Sequence, residues 1–426
     1  MQLTLAQHPI TEIEFGKATR LNQTTLYVNA AELVRLLLED NSLTSVDLEI
    51  VSPGESSRAA PVFDIIEPRA KGSDSSPDFP GILGPPLTAG IGVTHVLQGA
   101  AVTVLSELSP GGSRGSTGYV LEMSGPPAEG SHYASLHHLI VIPHTRPGLP
   151  EYVVLKAYRM IGLKVAVYLA RAALGDPPAS AKTFDAVGPA EQGRDRLPRV
   201  AYIGQIFSRQ RKPHQDEQIL YGTNTEGMLP LPLHPDEWID GAILPTYHRS
   251  LGGAETYFVQ NHPVIMELYR RHHARELNFV GTIATISSSD NFDRERNCRA
   301  AANLARWTLK ANAAVLTKWG GGVPHADLSE TARLLEWIGV QTVVMVSDMS
   351  RDRRLESALL FNYPEVNAII YNGGNGTRRM APRVERSIAP SAEMVEVLKG
   401  PIEIEGVNMV GLANEQGASR LRAMVT

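Results

Sequence analysis

In the first third of the chain, apolar residues come in short runs that alternate with polar ones. Thr25–Val28 joins β-branched and aromatic residues and predicts a strand. Ala30–Glu39 predicts a helix, with Asn29 placed as its N-cap. Val46–Val51 alternates Val, Leu and Ile with Asp and Glu, the period of a half-buried strand. Val93–Leu105 and Gly118–Met123 read as further strands, with Pro110–Gly118 as a Gly/Ser loop between them. Leu139–Ile142 is a compact apolar run that Pro143 should stop. Glu151–Leu174 predicts a long helical region with a break at Gly162.

Pro177–Pro198 mixes Pro, Gly, Ala and scattered charge, the texture of a linker. Beyond it, strands are expected at Val200–Phe207, Asp240–Leu244, Phe279–Ser287, Ala313–Thr317, Gln341–Val346 and Ala368–Tyr371. Helices are expected at Asp293–Lys310 and Ser329–Ile338. That alternation predicts an α/β protein. A β-rich domain over 1–176, with a helical end, would precede a linker at 177–198. A doubly wound, mostly parallel domain would fill 199–426. In such sheets, ligands sit beyond the carboxyl ends of the strands.

Composition narrows the function classes. The 426 residues carry 40 Lys plus Arg against 45 Asp plus Glu, a formal charge of −5, so no nucleic-acid footprint is present. Cys298 is the single cysteine, which excludes an internal disulfide and a multi-cysteine zinc site. It reads as a small core residue. Met1–Gly16 lacks the apolar core of a signal peptide, and Gly162–Gly175 is interrupted by Lys164 and Arg171. A soluble cytoplasmic protein without membrane partners is expected.

Three strand ends could carry chemistry. Ser287–Asn291 suits either helix capping or an anion subsite. Thr317–Gly322 has three glycines that would let a ligand approach the backbone, but lacks a phosphate-loop ending. Asn372–Gly376 follows the last strand and is either a turn or a site. His132, His137, His138 and His144 crowd one segment, and extended backbone would turn His138 and His144 to one face. They are surface histidines or metal ligands completed by a carboxylate. His272–His273, among Arg270, Arg271 and Arg275, reads as a solvated face. No GxSxG, HExxH or GxGxxG motif occurs.

Several blocks resemble the glycine, sarcosine and betaine reductase component B alpha/beta proproteins. They are Leu26-Tyr27-Val28-Asn29, Pro53-Gly54-Glu55-Ser56, Asp64-Ile65-Ile66-Glu67-Pro68-Arg69 and Thr94-His95-Val96-Leu97 with Gly99-Ala100-Ala101-Val102. Met123-Ser124-Gly125-Pro126, Tyr221-Gly222, His234-Pro235, Asp240-Gly241-Ala242 and Gln260-Asn261-His262-Pro263-Val264-Ile265 follow in the family's order. The resemblance implies reductive cleavage of a carbon–nitrogen bond in a complex. It also implies self-cleavage before an internal cysteine, shortly after the Asp-Gly-Ala block. That cysteine becomes a pyruvoyl group, and a selenocysteine-bearing partner subunit takes part.

This chain departs there. After Ala242 it reads Ile243-Leu244-Pro245-Thr246-Tyr247-His248-Arg249-Ser250, with no cysteine and with Ser250 beyond the expected place. The expectation is therefore an unprocessed relative without a pyruvoyl group. It would be an enzyme subunit acting on the C–N bond of a small amine or amino-acid-like substrate beside a second component-B-type subunit. Tyr247, His248 and Asp240 are the catalytic candidates, and Asn291 and Asn372 the substrate-binding ones. Two alternatives stay open. One is a metal-assisted hydrolase of amide or related C–N bonds, using His137, His138, His144 or His248 and metal-bound water. The other is a non-catalytic partner subunit of a hetero-oligomer.

Overall fold

The structure is a computed structural model and describes residues 2–108, 118–184, 196–209, 217–247, 255–347, 365–366, 368–372, 378–412 and 424–425. The protein is α/β. In the first half the strands of the two largest sheets are β1 (Leu3–Pro9), β2 (Leu43–Val51), β3 (Val62–Ile66), β4 (Arg69–Lys71), β5 (Gly92–Gln98), β6 (Ala100–Leu105), β7 (His137–Thr145) and β8 (Ser180–Phe184), and Thr25–Val28 is a strand of a smaller one. Strands β1 to β8 form two four-stranded sheets, ordered β8-β1-β5-β4 and β2-β7-β6-β3. Helix α1 (Ala30–Leu37) starts where expected, because the Asn29 side chain accepts from Glu32 N at 3.1 Å. The run Val93–Leu105 is split at Gly99, where a positive φ turns the chain beside the Ile10 carbonyl.

One proline and one glycine behave differently from the sequence expectation. Pro143 does not stop β7, which runs on to Thr145. Its pairing to β6 ends at Val141, and from there only β2 lies alongside, so the missing N–H removes nothing from the β6 ladder. Gly162 does not break helix α2 (Glu151–Ala170). It lies where the helix crosses the sheet, and a Cβ there would come 2.7 Å from Ile66 Cδ1 and 2.9 Å from Val104 Cγ2. α2 is buried nearly all round, with Val154, Tyr158, Ile161, Val165 and Leu169 in the core of this half.

In the second half, β9 (Arg199–Arg209), β10 (Leu231–Leu233), β11 (Asn278–Ser288), β12 (Ala313–Thr317), β13 (Gln341–Ser347), β14 (Ala368–Asn372) and β15 (Met424–Val425) form a seven-stranded sheet. Its order is β10-β11-β9-β12-β13-β14-β15. The five central strands are parallel and the two edges antiparallel. The chain reverses its direction of travel across the sheet between β9 and β12, the place where such sheets form a crevice. Helices α3 (Thr256–Gln260), α4 (Pro263–His273), α5 (Asn291–Asn303) and α6 (Val323–Trp337) accompany it. Helix α6 begins six residues before the expected Ser329, at the residue after Gly322, with Pro324 in its first turn. The expected strand Asp240–Leu244 is instead a wide helical turn over Trp238–Ala242, opened by the positive φ of Gly241.

The two halves are not separate beads. Ser180–Phe184, inside the stretch expected to be a linker, is strand β8 and pairs with β1, burying Phe184. Residues 378–412 return to the first half: Arg386–Ile388 pairs with Ser57–Ala59, and helix α7 (Ala392–Lys399) packs there. The loop expected at Pro110–Gly118 falls almost wholly outside the described residues. Among the described residues, no helix is long and apolar enough to cross a membrane.

Candidate active site at the seam between the halves

Charged residues set singly in apolar runs are the ones that build the seam. Arg69, at the start of β4, is buried. It donates from Nε to Glu67 Oε2 (2.7 Å), from Nη1 to the Ile239 carbonyl (3.0 Å) and from Nη2 to Asn261 Oδ1 (3.0 Å). Gln260 closes a reciprocal pair with the Glu67 backbone at 3.0 and 3.1 Å. One residue on from the Ile239 carbonyl, Asp240 is held by an ion pair with Lys71, by Gly90 N (2.7 Å) and by the Thr94 hydroxyl (3.1 Å). Just before it, Tyr221 donates to Glu237 at 2.6 Å, and Tyr269 donates to Asp236. Burial pushes the Asp236 carboxyl up to about 7.

The segment leaving this clamp, Ile243–Tyr247, is buried throughout. Arg159, from the middle of α2, donates to the Pro245 carbonyl at 2.5 Å and lies over the Tyr247 ring at 5.0 Å. Glu217 Oε1 accepts from the Thr246 hydroxyl and, at 2.5 Å, from Tyr247 N. Where the chain is described again, Thr256 donates to Asp64 from both N (2.9 Å) and Oγ1 (2.7 Å), and Asp64 lies 4.0 Å from Arg159 Nε. Tyr133 donates to Glu255 at 3.2 Å, and His132 Nε2 meets the Tyr257 hydroxyl at 3.2 Å. Burial first, then the Glu255 carboxylate, holds the Tyr133 hydroxyl well above the usual tyrosine range. The Arg159–Asp64 contact thus ties both ends of the segment following Asp240 to the first half.

A second polar group lies at the carboxyl ends of the parallel strands. Tyr202 in β9 bonds Thr317 at 2.7 Å and His262 at 2.9 Å; burial lowers His262 to about 3. Gln205 accepts from Trp319 N (3.2 Å) and donates to the Pro324 carbonyl (3.0 Å). Lys318 is fully buried and donates to the Gly320 carbonyl at 2.9 Å. Ser287 and Arg294 both donate to Asp327 at 2.6 Å.

Nearly the whole length of the chain is shared with one known group of proteins. A family model of glycine/sarcosine/betaine reductase component B subunits matches residues 1–416. The chain belongs to this family. It is 30% identical over 99% of both chains to the glycine reductase complex component B subunits alpha and beta of Peptoclostridium acidaminophilum. It is also 30% identical to the sarcosine reductase complex component B subunit alpha of that organism, over 98% of this chain and 94% of the relative. The betaine reductase complex component B subunit alpha is 28% identical over 88% and 84%. No solved structure matches.

The family blocks read from the sequence converge on the seam. Glu67-Pro68-Arg69, Thr94, Tyr221, His234-Pro235, Asp240 and Gln260-Asn261-His262 all belong to the networks above. Of the expected catalytic trio, Tyr247 is buried at the seam and Asp240 serves in the clamp, while His248 lies outside the described residues. The structure does not bring Asn291 and Asn372 together. They follow β11 and end β14, four strand spacings apart, or roughly 19 Å at about 4.8 Å each. Asn291 is exposed and accepts from Arg294 at 3.2 Å, while Asp290 caps α5 from Asp293 N at 2.9 Å, so that turn is filled by capping.

The three histidines of β7 do not converge either. His138 is buried between Thr103 Oγ1 (2.8 Å) and the Tyr133 carbonyl (2.9 Å), and burial lowers it to about 4. His137 turns to Ser52 at 3.3 Å, and His144 bridges Glu107 (2.9 Å) and Asp47 (3.0 Å). Among the described residues, no group of three or more His, Cys, Asp or Glu is placed to hold a metal ion. Cys298 is buried, its thiol pushed up to about 12 by burial, as suits a core residue. His272 is not part of a solvated face: its Nδ1 accepts from Phe279 N at 3.1 Å. Sequence reasoning missed Arg159 and Glu217, and it held Asp64 and Arg69 only as members of a family block, without a role. The available signal was a charge inside an otherwise fully apolar run, as with Asp64 in Val-Phe-Asp-Ile-Ile.

A pyruvoyl group made from cysteine or serine does not fit the described segment. Residues 241–247 contain neither, and their one hydroxyl on a β-carbon belongs to Thr246.

Proposed function

We propose that this chain is a component-B-type subunit of a reductase complex. It acts on the C–N bond of a small amine or amino-acid-like substrate, beside a second component-B-type subunit and without a pyruvoyl group. One observation carries the reading: the blocks shared with the family, drawn from both halves, meet in a single buried network around residues 236–247. Networks of this kind are retained where a segment must be held in one geometry. The relatives are named for glycine, sarcosine and betaine, so the substrate class is an amine or ammonium attached to a short carboxylate.

The test is release of ammonia, methylamine or trimethylamine from glycine, sarcosine or betaine by the chain with its co-purified partner and a reductant. Turnover of at least one, lost when the chain is left out, is expected. Hydrolysis of these compounds' amides without any reductant, and no reductive turnover, would point to the hydrolase alternative instead.

A further inference from the structure

Strand β2 is an open sheet edge beside an apolar helix face. It ends the sheet β2-β7-β6-β3, and among the described residues no strand lies on its outer side. The opposite edge, β3, is buried along its whole length. The partner strand fixes which backbone groups of β2 point outward. His137 N donates to the Gly99 carbonyl beside β6 at 2.9 Å, so odd-numbered residues of β7 turn toward β6 and even-numbered ones toward β2. His138, Ile140 and Ile142 stand opposite Val51, Glu49 and Asp47, which therefore face β7. Val46, Leu48 and Ile50 turn their N–H and C=O groups outward. Two contacts agree: Pro143, which has no N–H, stands opposite Val46, and the Ile50 carbonyl accepts from Arg386 Nη1 at 2.9 Å.

A groove of about 810 Å³ runs along the remaining stretch. Val46, Asp47 and Leu48 line it in succession, which a pocket on one sheet face would not allow, because alternate residues point to opposite faces. The groove therefore follows the edge itself. Its other wall is α1, where Ala30, Val34 and Leu38 recur every four residues. This is a second apolar stripe, beside the one of Leu33 and Leu37 that enters the core. Phe15 and Leu38 in the groove are 46% and 39% exposed.

We propose that β2 is the docking edge for an extended strand of a different polypeptide, apolar at alternate residues with lysine or arginine between them. Its backbone would complete the outward groups of Val46 and Leu48. Residues opposite Val46 and Leu48 would share their face and enter the groove under α1, and the residue opposite Asp47 would share the outer face. The Asp47 side chain is 68% exposed, so a cation suits that position. A second copy suits the edge poorly. Pairing two β2 strands about Asp47 would set Asp47 against Asp47, and pairing about Leu48 would set Asp47 against Glu49, like charges that repel. The inference goes beyond the reaction and does not depend on it.

The full-length chain is titrated with a capped peptide of alternating valine and lysine, followed by fluorescence anisotropy and by amide exchange read at single residues. Binding should slow exchange at Val46 and Leu48, with the least change at Asp47 and Glu49, which already bond β7. Methylating the peptide's valine amides or its lysine amides should weaken binding in one case and not the other, by about tenfold per blocked bond. Ala31→Arg, on the exposed side of α1, should weaken binding about tenfold with the melting temperature unchanged. Asp47→Lys should reverse the preference for this peptide over its valine–glutamate counterpart. An unchanged preference overturns the cationic occupant. Equal affinity of both methylated peptides shows that no backbone pairing occurs and overturns the docking edge. So does absence of binding at millimolar peptide, or protection of Val46 and Leu48 as strong as that of Asp47 in the free chain. Protection that rises with the chain's own concentration, without peptide, assigns the edge to a second copy and overturns the different polypeptide.

Discussion

Lys71 and Asp240 form an ion pair across the seam, with both side chains almost wholly removed from solvent. Asp240 also accepts from Gly90 N and the Thr94 hydroxyl, so the first half grips the turn that leads into the candidate site. Breaking a buried pair from one side leaves an uncompensated charge, which costs about 3–5 kcal/mol. Lys71→Met should therefore lower the unfolding free energy by that much. Adding Asp240→Asn should recover part of the loss, because it removes the uncompensated charge while the amide oxygen still accepts from Gly90 N and the amide NH2 faces the Thr94 hydroxyl oxygen, which can accept. Urea denaturation of the two variants checks this; equal losses would show that the charge at Asp240 is not what the lysine serves.

Arg58 fastens residues 378–412 to the first half. Its guanidinium pairs with Glu122 at 2.6 Å and donates to the carbonyls of Leu398 (2.5 Å), Gly400 (2.8 Å) and Pro382 (2.7 Å). Two of these carbonyls lie at the end of helix α7, where a cation also favours the helix dipole. Arg58→Met should leave Glu122 and three carbonyls without their donor. Amide exchange should then speed up across 378–412 before it does in β9–β13, since the second-half sheet makes none of these bonds. Uniform acceleration over the whole chain would show that the segment does not open separately.

Gly222 and Gly81 let two backbones cross. A Cβ on Gly222 would sit 2.1 Å from the Gly81 carbonyl oxygen, and its φ of +73° is itself strained for other residues. Gly227 has a similar φ of +68° but nothing within 4 Å. Gly227→Ala therefore reports backbone strain alone, about 1 kcal/mol. Gly222→Ala adds the clash and should lose at least about 2 kcal/mol more. Thermal melts of the pair measure the difference; similar losses would mean the crossing opens easily.

What was legible in the sequence follows from what each signal depends on. Strand Val200–Phe207 is buried on both faces and Ala313–Thr317 is half-buried on one face and buried on the other, so their apolar runs announce them without tertiary information. The Asn29 cap is local and was readable for the same reason. Asp240–Leu244 reads apolar because it is buried, yet its start belongs to the wide turn Trp238–Ala242, where Gly241 takes a positive φ and a Cβ would come 3.0 Å from the Phe79 ring. At the site, Tyr247 and Asp240 were found through the family blocks. Arg159 and Glu217 were not, because their roles depend on α2 and residue 217 approaching Pro245 and Thr246 from distant parts of the chain. No spacing rule connects residues so far apart in sequence. The β7 histidines misled in the other direction: alternation puts His138 and His144 on one face, but six residues of extended strand separate them by about 20 Å.

Buried neutral histidines should make the fold acid-sensitive. Burial holds His138 and His234 at about 4, and His262 and His325 at about 3, against an ordinary 6.5. The unfolded chain then binds protons below about pH 6.5 that the folded chain refuses, so stability falls as pH drops from there toward 4. Each such group contributes a slope of about 1.4 kcal/mol per pH unit. Asp236, raised to about 7 by burial, works the other way: between its ordinary 3.8 and 7 the folded chain holds a proton that the unfolded one releases. The four histidines outnumber that aspartate, so these five groups together lower stability as pH falls from about 6.5 toward 5. Urea midpoints measured from pH 7 to 5 should drop accordingly. His138→Gln should flatten that slope by about one proton, whatever it does to stability at pH 7. An unchanged slope would mean that His138 takes up its proton in the folded protein and that the bonds to Thr103 and the Tyr133 carbonyl do not hold it neutral.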